Sequence, residues 1–423
     1  MSNNIEWKNR ANNAVSAAVA NAYNIFVAKA KNAQLWDIEG NRYIDFGGGI
    51  GTLNTGHCND KIITAVKEQL DKFTHTAFAI TPYPQYIELA EKLNQLVPGD
   101  FAKKTLFVTT GAEAVENAIK VARIATKRLV VISFVGGFHG RTMLTLGLTG
   151  KIKPYKVGLS NFTNDIFHAP FPKNKETFSQ MQQYFENLFK ADIAPEDIAA
   201  IIFEPVQGEG GFYSIYPEAV KWIRDLCNKH QIVMIADEIQ SGFARTGKLF
   251  AMEHFNIAAD IVTSAKSLAG GFTLAAITGR AAIMDAPVPG SLGGTYAGNP
   301  VAITAALTTI EVMQQNNLPQ RALKIGEQIE SVINKIKSRV PQIKEFRRLG
   351  AMAAIEFYDP TTHEIDSAIV TKIQQLAIND GLIILSCGYG NVIRFLVPLT
   401  IEDSILTEGL NILEKSILTA ANA

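Results

Sequence analysis

Five short apolar runs, TLFVTT, LVVISF, AAIIFEPV, IVMIADE and DIVTSA, alternate with helical segments such as DKIITAVKEQLDKF between about residues 60 and 315. Runs this short and this continuously apolar suit strands buried on both faces, and strands separated by helices pair in parallel. The pattern therefore predicts an α/β fold: a mostly parallel sheet covered by helices on both faces. In such a fold ligands bind beyond the carboxyl ends of the strands.

The flanks read differently. Residues 34–46, QLWDIEGNRYIDF, are two alternating strands joined at Glu-Gly-Asn, a hairpin signal, with Gly47, Gly48, Gly49 and Gly51 behind them. Past residue 315 come a long amphipathic helix, LPQRALKIGEQIESVINKIKSRV, and the strands AMAAIEF and NVIRFLVPLT around a further helix. A chain of 423 residues exceeds one compact core. The expected division is 1–55 as an N-terminal arm and hairpin belonging to a small domain, 56–315 as the large domain, and 316–423 as the rest of a smaller α+β domain.

Two strand ends carry a specific chemistry. IVMIADEIQ delivers Asp237 to the end of a buried strand, and DIVTSAK delivers Lys266 to the end of the next. A lysine after an apolar strand is ordinarily a solvated strand end. Here Ser264, Ala265, Ser267, Ala269, Gly270 and Gly271 surround it, and side chains this small leave room for a ring. A strand-end carboxylate beside a strand-end amine is what pyridoxal 5'-phosphate requires, an anion for the pyridinium nitrogen and a nucleophile for the aldehyde.

Forty basic residues balance forty acidic ones, so no global field draws the chain to nucleic acid or to an anionic membrane. No run reaches the roughly 18–20 apolar residues that span a bilayer. KNRANNAVSAAVANA near the start has a faint signal-peptide look, but Asn12 and Asn13 break its apolar region, and a short helical arm explains it better. Cys58, Cys227 and Cys387 are an odd, widely spaced set without CxxC spacing, against a disulfide framework or a structural zinc site. A cytoplasmic protein with small polar ligands and no metal is expected.

Other strand ends offer partners for such a ligand. FVTTGAEAVENAIKVAR opens a helix at Gly111 and Ala112, where backbone N–H groups and the helix dipole favour a phosphate. It lacks the GKS or GKT end of a nucleotide P-loop, and no G-x-G-x-x-G follows the first strand. GGFHGRT places Phe138, His139 and Arg141 together: an aromatic face for a planar group and a fork for a carboxylate, or else a surface ion pair. FEPVQGEGG holds Glu204 and Glu209, each either catalytic, an arginine's partner or, as is commoner, a solvated loop glutamate. GGTYAGNP offers Thr295 to a phosphate, or only a turn. Arg394 in NVIRFLVP sits inside an apolar strand and needs a counter-ion.

In order, LWDIEGNRYIDF, LNTGH, TTGAEAVENAIK, GGFHGRT, LTGK, IIFEPVQGEGG, IADEIQSGFARTGKLFAMEH, AKSLAGG, GGTYAGNP and GNVIRFLVPLT cover nearly the whole chain. Together they resemble the class III (ω-) aminotransferases among the fold type I pyridoxal phosphate enzymes, above all those acting on 4-aminobutyrate. The resemblance implies that Lys266 bonds the cofactor and shuttles the proton, while Asp237 keeps the ring nitrogen protonated. Gly111, Ala112 and, across a dimer interface, Thr295 would hold the phosphate. Phe138 would stack on the ring, with His139, Ile239 and Gln240 completing its site.

The resemblance further implies ping-pong transfer of an amino group from 4-aminobutyrate to 2-oxoglutarate, giving succinate semialdehyde and glutamate, in at least a homodimer, with dimer and tetramer both left open. Arg141 would take the distal carboxylate and Arg394 the proximal one, with Glu209 neutralising Arg394 when the substrate has no second carboxylate. Glu204 joins the substrate site, and Ile50 would form an apolar wall that disfavours an α-ammonium. Transamination of 5-aminovalerate, ornithine or acetylornithine, and an epimerase or aminomutase on the same lysine, stand as alternatives. Two departures from the family pattern are Thr273, where many members carry proline, and Arg348, where glycine is usual.

Overall fold

A computed structural model describes residues 3–159 and 164–422. Its centre is a seven-stranded sheet: β1 (Lys103–Val108), β2 (Val130–Phe134), β3 (Ile166–Ala169), β4 (Ile198–Phe203), β5 (Val233–Asp237), β6 (Ile261–Ser264) and β7 (Ala275–Arg280). Their order across the sheet is β1-β7-β6-β5-β4-β2-β3. The five expected apolar runs are β1, β2, β4, β5 and β6. The sheet is α/β and mostly parallel, as expected.

Two strands escaped the sequence reading. β3 is a four-residue edge strand paired with β2 in parallel. β7 runs antiparallel to both β6 and β1. The chain turns back through Gly270 and Gly271, both at positive φ (57° and 101°), instead of crossing over through a helix. A direct return allows only antiparallel pairing. It also brings the start of β7, not its end, to the carboxyl edge of its neighbours.

Side chains alternate between the two faces. On β4, Ala200 and Ile202 pack in a cluster with Ala114, Val115, Ala118 and Ile119 of the helix Gly111–Thr126, whereas Ile201 and Phe203 enter the larger core on the opposite face. Both faces are thus dry, which is why the strands read as unbroken apolar runs. Ile119 is wholly buried, and truncating it to alanine would cost about 2–5 kcal/mol.

The hairpin at 34–46 is present, Gln34–Asp37 against Arg42–Asp45, in a four-stranded sheet with Val27–Lys31 and Leu382–Ile383. Ile44 pairs with Leu382 in parallel, so the two ends of the sequence share this sheet. A second four-stranded sheet orders Ile343–Leu349, Met352–Phe357, Val392–Phe395 and Leu385–Cys387. Leu318–Ile336 is the long helix, and Asn4–Ala14 is a short helix with no buried residue. Arg348 is held by Glu330 on the long helix, Nη2 to Oε2 at 2.7 Å.

Candidate active site

The carboxyl ends of β1, β2, β4, β5 and β6 and the start of β7 surround a cleft of about 390 Å³. β5 ends at Asp237. Its Oδ1 accepts from the Thr263 hydroxyl at 3.1 Å and the Ile239 N–H at 3.2 Å, and its Oδ2 lies 2.7 Å from His139 Nδ1. Both Asp237 and His139 are buried. Burial alone would lower the His139 pKa, but the hydrogen bond and charge of Asp237, with the charge of Glu204, carry it above its ordinary value.

Lys266 follows β6 with φ 49°, a left-handed conformation rare for a side-chain-bearing residue. It lines the cleft half-buried, with no hydrogen-bond partner for its amine among the described residues. Desolvation pushes its ammonium down to about 8, helped by Arg394 and opposed chiefly by Glu209. Near neutral pH a fraction of the amine is therefore free to act as a nucleophile or base.

β1 leads into the helix Gly111–Thr126 through a capping box. The Thr110 hydroxyl accepts from Glu113 N–H, and the Glu113 carboxylate accepts from the N–H groups of Thr109 and Thr110. Gly111 and Ala112 keep N–H groups without an acceptor among the described residues, at the positive end of the helix dipole and in the cleft wall. An added Cβ at Gly111 would come within 2.9 Å of Ile239 Cδ1.

Glu204, at the end of β4, is neither an arginine's partner nor exposed. It is buried and accepts the N–H groups of Phe138 (2.9 Å) and Gly208 (3.0 Å), fastening two loops of the cleft. Desolvation pushes its carboxyl up to about 7, against His139 and with the repulsion of Asp237. Glu209 pairs with Arg394, Oε1 to Nη1 at 2.5 Å. Although burial opposes ionisation, the Arg394 guanidinium holds Glu209 below the usual carboxylate range. Arg141 lines the cleft, exposed, with no carboxylate partner among the described residues.

Of the residues read from the sequence, the cleft collects Gly111, Ala112, Phe138, His139, Arg141, Glu204, Glu209, Asp237, Ile239, Gln240 and Lys266. Arg394 stands behind Glu209. Ile50 (49% exposed, φ 60°) and Thr295 do not line it within a single chain. The Thr295 carbonyl lies 2.6 Å from His75 Nε2.

Thr52, Thr109, Thr110 and Thr273 also line the cleft and were not read as site residues. Thr110 had a signal, the T-x-x-E capping pattern. Tyr155 had none. Its hydroxyl donates to Glu209 Oε2 at 3.2 Å, and its ring meets Phe138 at 4.9 Å and the Arg141 guanidinium at 5.2 Å. Burial and the nearby Glu209 push its phenol up to about 12.

These residues fit a flat, phosphorylated aldehyde. Gln240 Oε1 and His139 Nε2 are buried without partners among the described residues, and an amine, a carboxylate and two open N–H groups converge on one space. The same cleft is lined by one guanidinium without a carboxylate partner among the described residues, and behind its Glu209 stands a second that this glutamate neutralises.

Comparison with known proteins agrees. The family model Aminotransferase class-III matches residues 15–417. The chain is 49% identical over 419 residues, 98% of each chain, to the 4-aminobutyrate aminotransferase GabT of Escherichia coli strain K12. It is 51% identical over 405 residues, 95% of each, to the 5-aminovalerate aminotransferase DavT of Pseudomonas putida. Among solved structures, the ornithine aminotransferase of Toxoplasma gondii superposes with a TM-score of 0.88 at 28% identity, covering 100% of this chain and 96% of that one.

Proposed function

The chain belongs to the class III aminotransferases, and on that premise we propose that it moves the amino group of 4-aminobutyrate to 2-oxoglutarate, releasing succinate semialdehyde and glutamate. The observation that carries this reading is the unequal pair of cations, Arg141 open to the cleft and Arg394 closed by Glu209. A donor with one distal carboxylate needs only the first. An acceptor with a second carboxylate beside its carbonyl needs both.

Pyridoxal 5'-phosphate, when bound, supplies a carbonyl that takes up the amino group and a ring that withdraws electrons. The Gly111 and Ala112 N–H groups would hold its phosphate, joined by Thr295 of the partner subunit in a homodimer. Phe138 and Ile239 would flank the ring, with Gln240 near its hydroxyl. Asp237, fixed by His139, Thr263 and the Ile239 N–H, would present a carboxylate to the ring nitrogen. Lys266 Nζ would bond the cofactor at rest and would carry the proton between substrate carbon and cofactor, a task suited to an amine depressed to about 8. Ile50 of the partner subunit would wall the substrate pocket. Residues 56–315 would form the cofactor-binding domain, with 1–55 and 316–423 as the smaller one.

A second donor, 5-aminovalerate, is favoured by the 51% identity to DavT. One methylene in a pocket discriminates by only about 1–3 kcal/mol. We assign the enzyme to the cytoplasm as at least a homodimer. Its cysteines are unpaired, and among the described residues no helix is long and apolar enough to cross a membrane.

The test is the visible spectrum of the cofactor-loaded protein with 4-aminobutyrate alone, beside 5-aminovalerate and ornithine. Loss of the cofactor band with 4-aminobutyrate, restored by 2-oxoglutarate, is the expected result. A band indifferent to 4-aminobutyrate but answering another donor would replace the substrate.

A further inference from the structure

Glu209 stands between two cavities. Besides the main cleft it lines a second space of about 250 Å³, walled also by Lys151, Lys173, Gln207, Gly388 and Tyr389. It is the residue that these two linings share. An incoming carboxylate can take Nη1 of Arg394 only if Glu209 leaves it, and a buried carboxylate that leaves one cation without reaching another is strongly disfavoured.

The second cavity contains a cation already tied to this glutamate. Lys151 Nζ donates to the Gly388 carbonyl, and the Gly388 N–H donates to the Glu209 carbonyl at 3.1 Å. Lys151 Nζ also lies 5.9 Å from the centre of the Tyr155 ring, whose hydroxyl holds Glu209 Oε2. The Lys151 charge already helps to keep Glu209 ionised, after the larger effects of Arg394 and then Lys266. Lys173 is engaged elsewhere, with Nζ 3.5 Å from the centre of the Tyr213 ring.

We propose that Lys151 is the counter-ion that receives the Glu209 carboxylate in the second cavity when a dicarboxylic acceptor takes Arg394. Lys151 is then a positioning residue for the dicarboxylate half of the reaction, and it has little part in the half that begins with an ω-amino acid. This inference rests on the amino-transfer reading above.

Lys151→Gln keeps a donor for the Gly388 carbonyl and removes the charge, whereas Lys151→Arg keeps the charge. In the holoenzyme, Lys151→Gln should raise KM for 2-oxoglutarate about tenfold or more and leave that for 4-aminobutyrate within about twofold; Lys151→Arg should restore most of the loss. In a Glu209→Gln background the penalty should vanish, because no anion remains to be received. A structure of the wild type with 2-oxoglutarate bound should place the Glu209 carboxylate within hydrogen-bond reach of Lys151 Nζ. Equal shifts for both substrates, a penalty that persists in Glu209→Gln, or Glu209 still on Arg394 in that complex would overturn the inference. If Lys151→Gln does not fold, the complex decides alone. A wild type that takes an amino group from no ω-amino acid would instead overturn the functional reading.

Discussion

His139 Nδ1 lies 2.7 Å from Asp237 Oδ2, and the two side chains are 1% and 2% exposed. The histidine comes from the loop after β2 and the aspartate from the end of β5, so the pair fastens two strand ends and fixes the carboxylate that faces the cleft.

Replacing His139 by Leu leaves Asp237 buried without its principal partner. Removing one member of such a pair costs about 3–5 kcal/mol, which a urea titration of the cofactor-free protein should show. The His139 pKa is raised in the folded state, so its contribution is fully present below about 6.5, the ordinary histidine value, and lost as pH rises through the raised one. The wild type should lose that increment on the alkaline side, and the variant should not.

Lys266→Ala should reduce turnover by about 10⁴-fold or more while the fold persists, since both the nucleophile and the proton carrier are gone. A variant with unchanged turnover would sink the mechanism. Stability should move the other way. An ammonium depressed from 10.5 to about 8 is disfavoured by folding below pH 8, and that penalty fades between pH 8 and 10.5. Lys266→Met, without cofactor, should therefore melt above the wild type at pH 7, with the gap closing by pH 10.

Glu209→Gln takes the counter-charge from Arg394. The specificity constant for 4-aminobutyrate should fall about tenfold or more, because its bound state leaves a buried guanidinium uncompensated. The constant for glutamate, whose own carboxylate fills that place, should change far less. Single-turnover measurements of the two half-reactions would show the split.

Gly208→Ala reaches the site through packing. An added Cβ would lie 2.3 Å from Gln240 Oε1 and 2.8 Å from its Cδ, so Gln240 must move. Overpacking of this kind costs about 1–3 kcal/mol. A cofactor titration should show weaker binding with the far-ultraviolet circular dichroism unchanged.

Local pattern made much of this legible in the sequence. Buried parallel strands must be continuously apolar, so the runs ending at Glu204, Asp237 and Lys266 announced both the sheet and the residues at its carboxyl edge. The helix opening at Gly111 was readable because unsatisfied N–H groups there follow from helix geometry alone. β7 was not, because the Gly270–Gly271 return that sets its direction looks in sequence like any loop.

The sequence by itself determined the class of fold, the lysine and aspartate pair, and the two arginines, because each depends on a short stretch of backbone and its pattern of burial. Only the tertiary structure decided that Glu209 meets Arg394, 185 positions away in the chain, that Glu204 braces two loops with no arginine beside it, and that Tyr155 and Lys151 stand around the same glutamate. Those relations arise where separate segments pack against one another. Close packing sets such distances to fractions of an ångström, and no local pattern of residues encodes them.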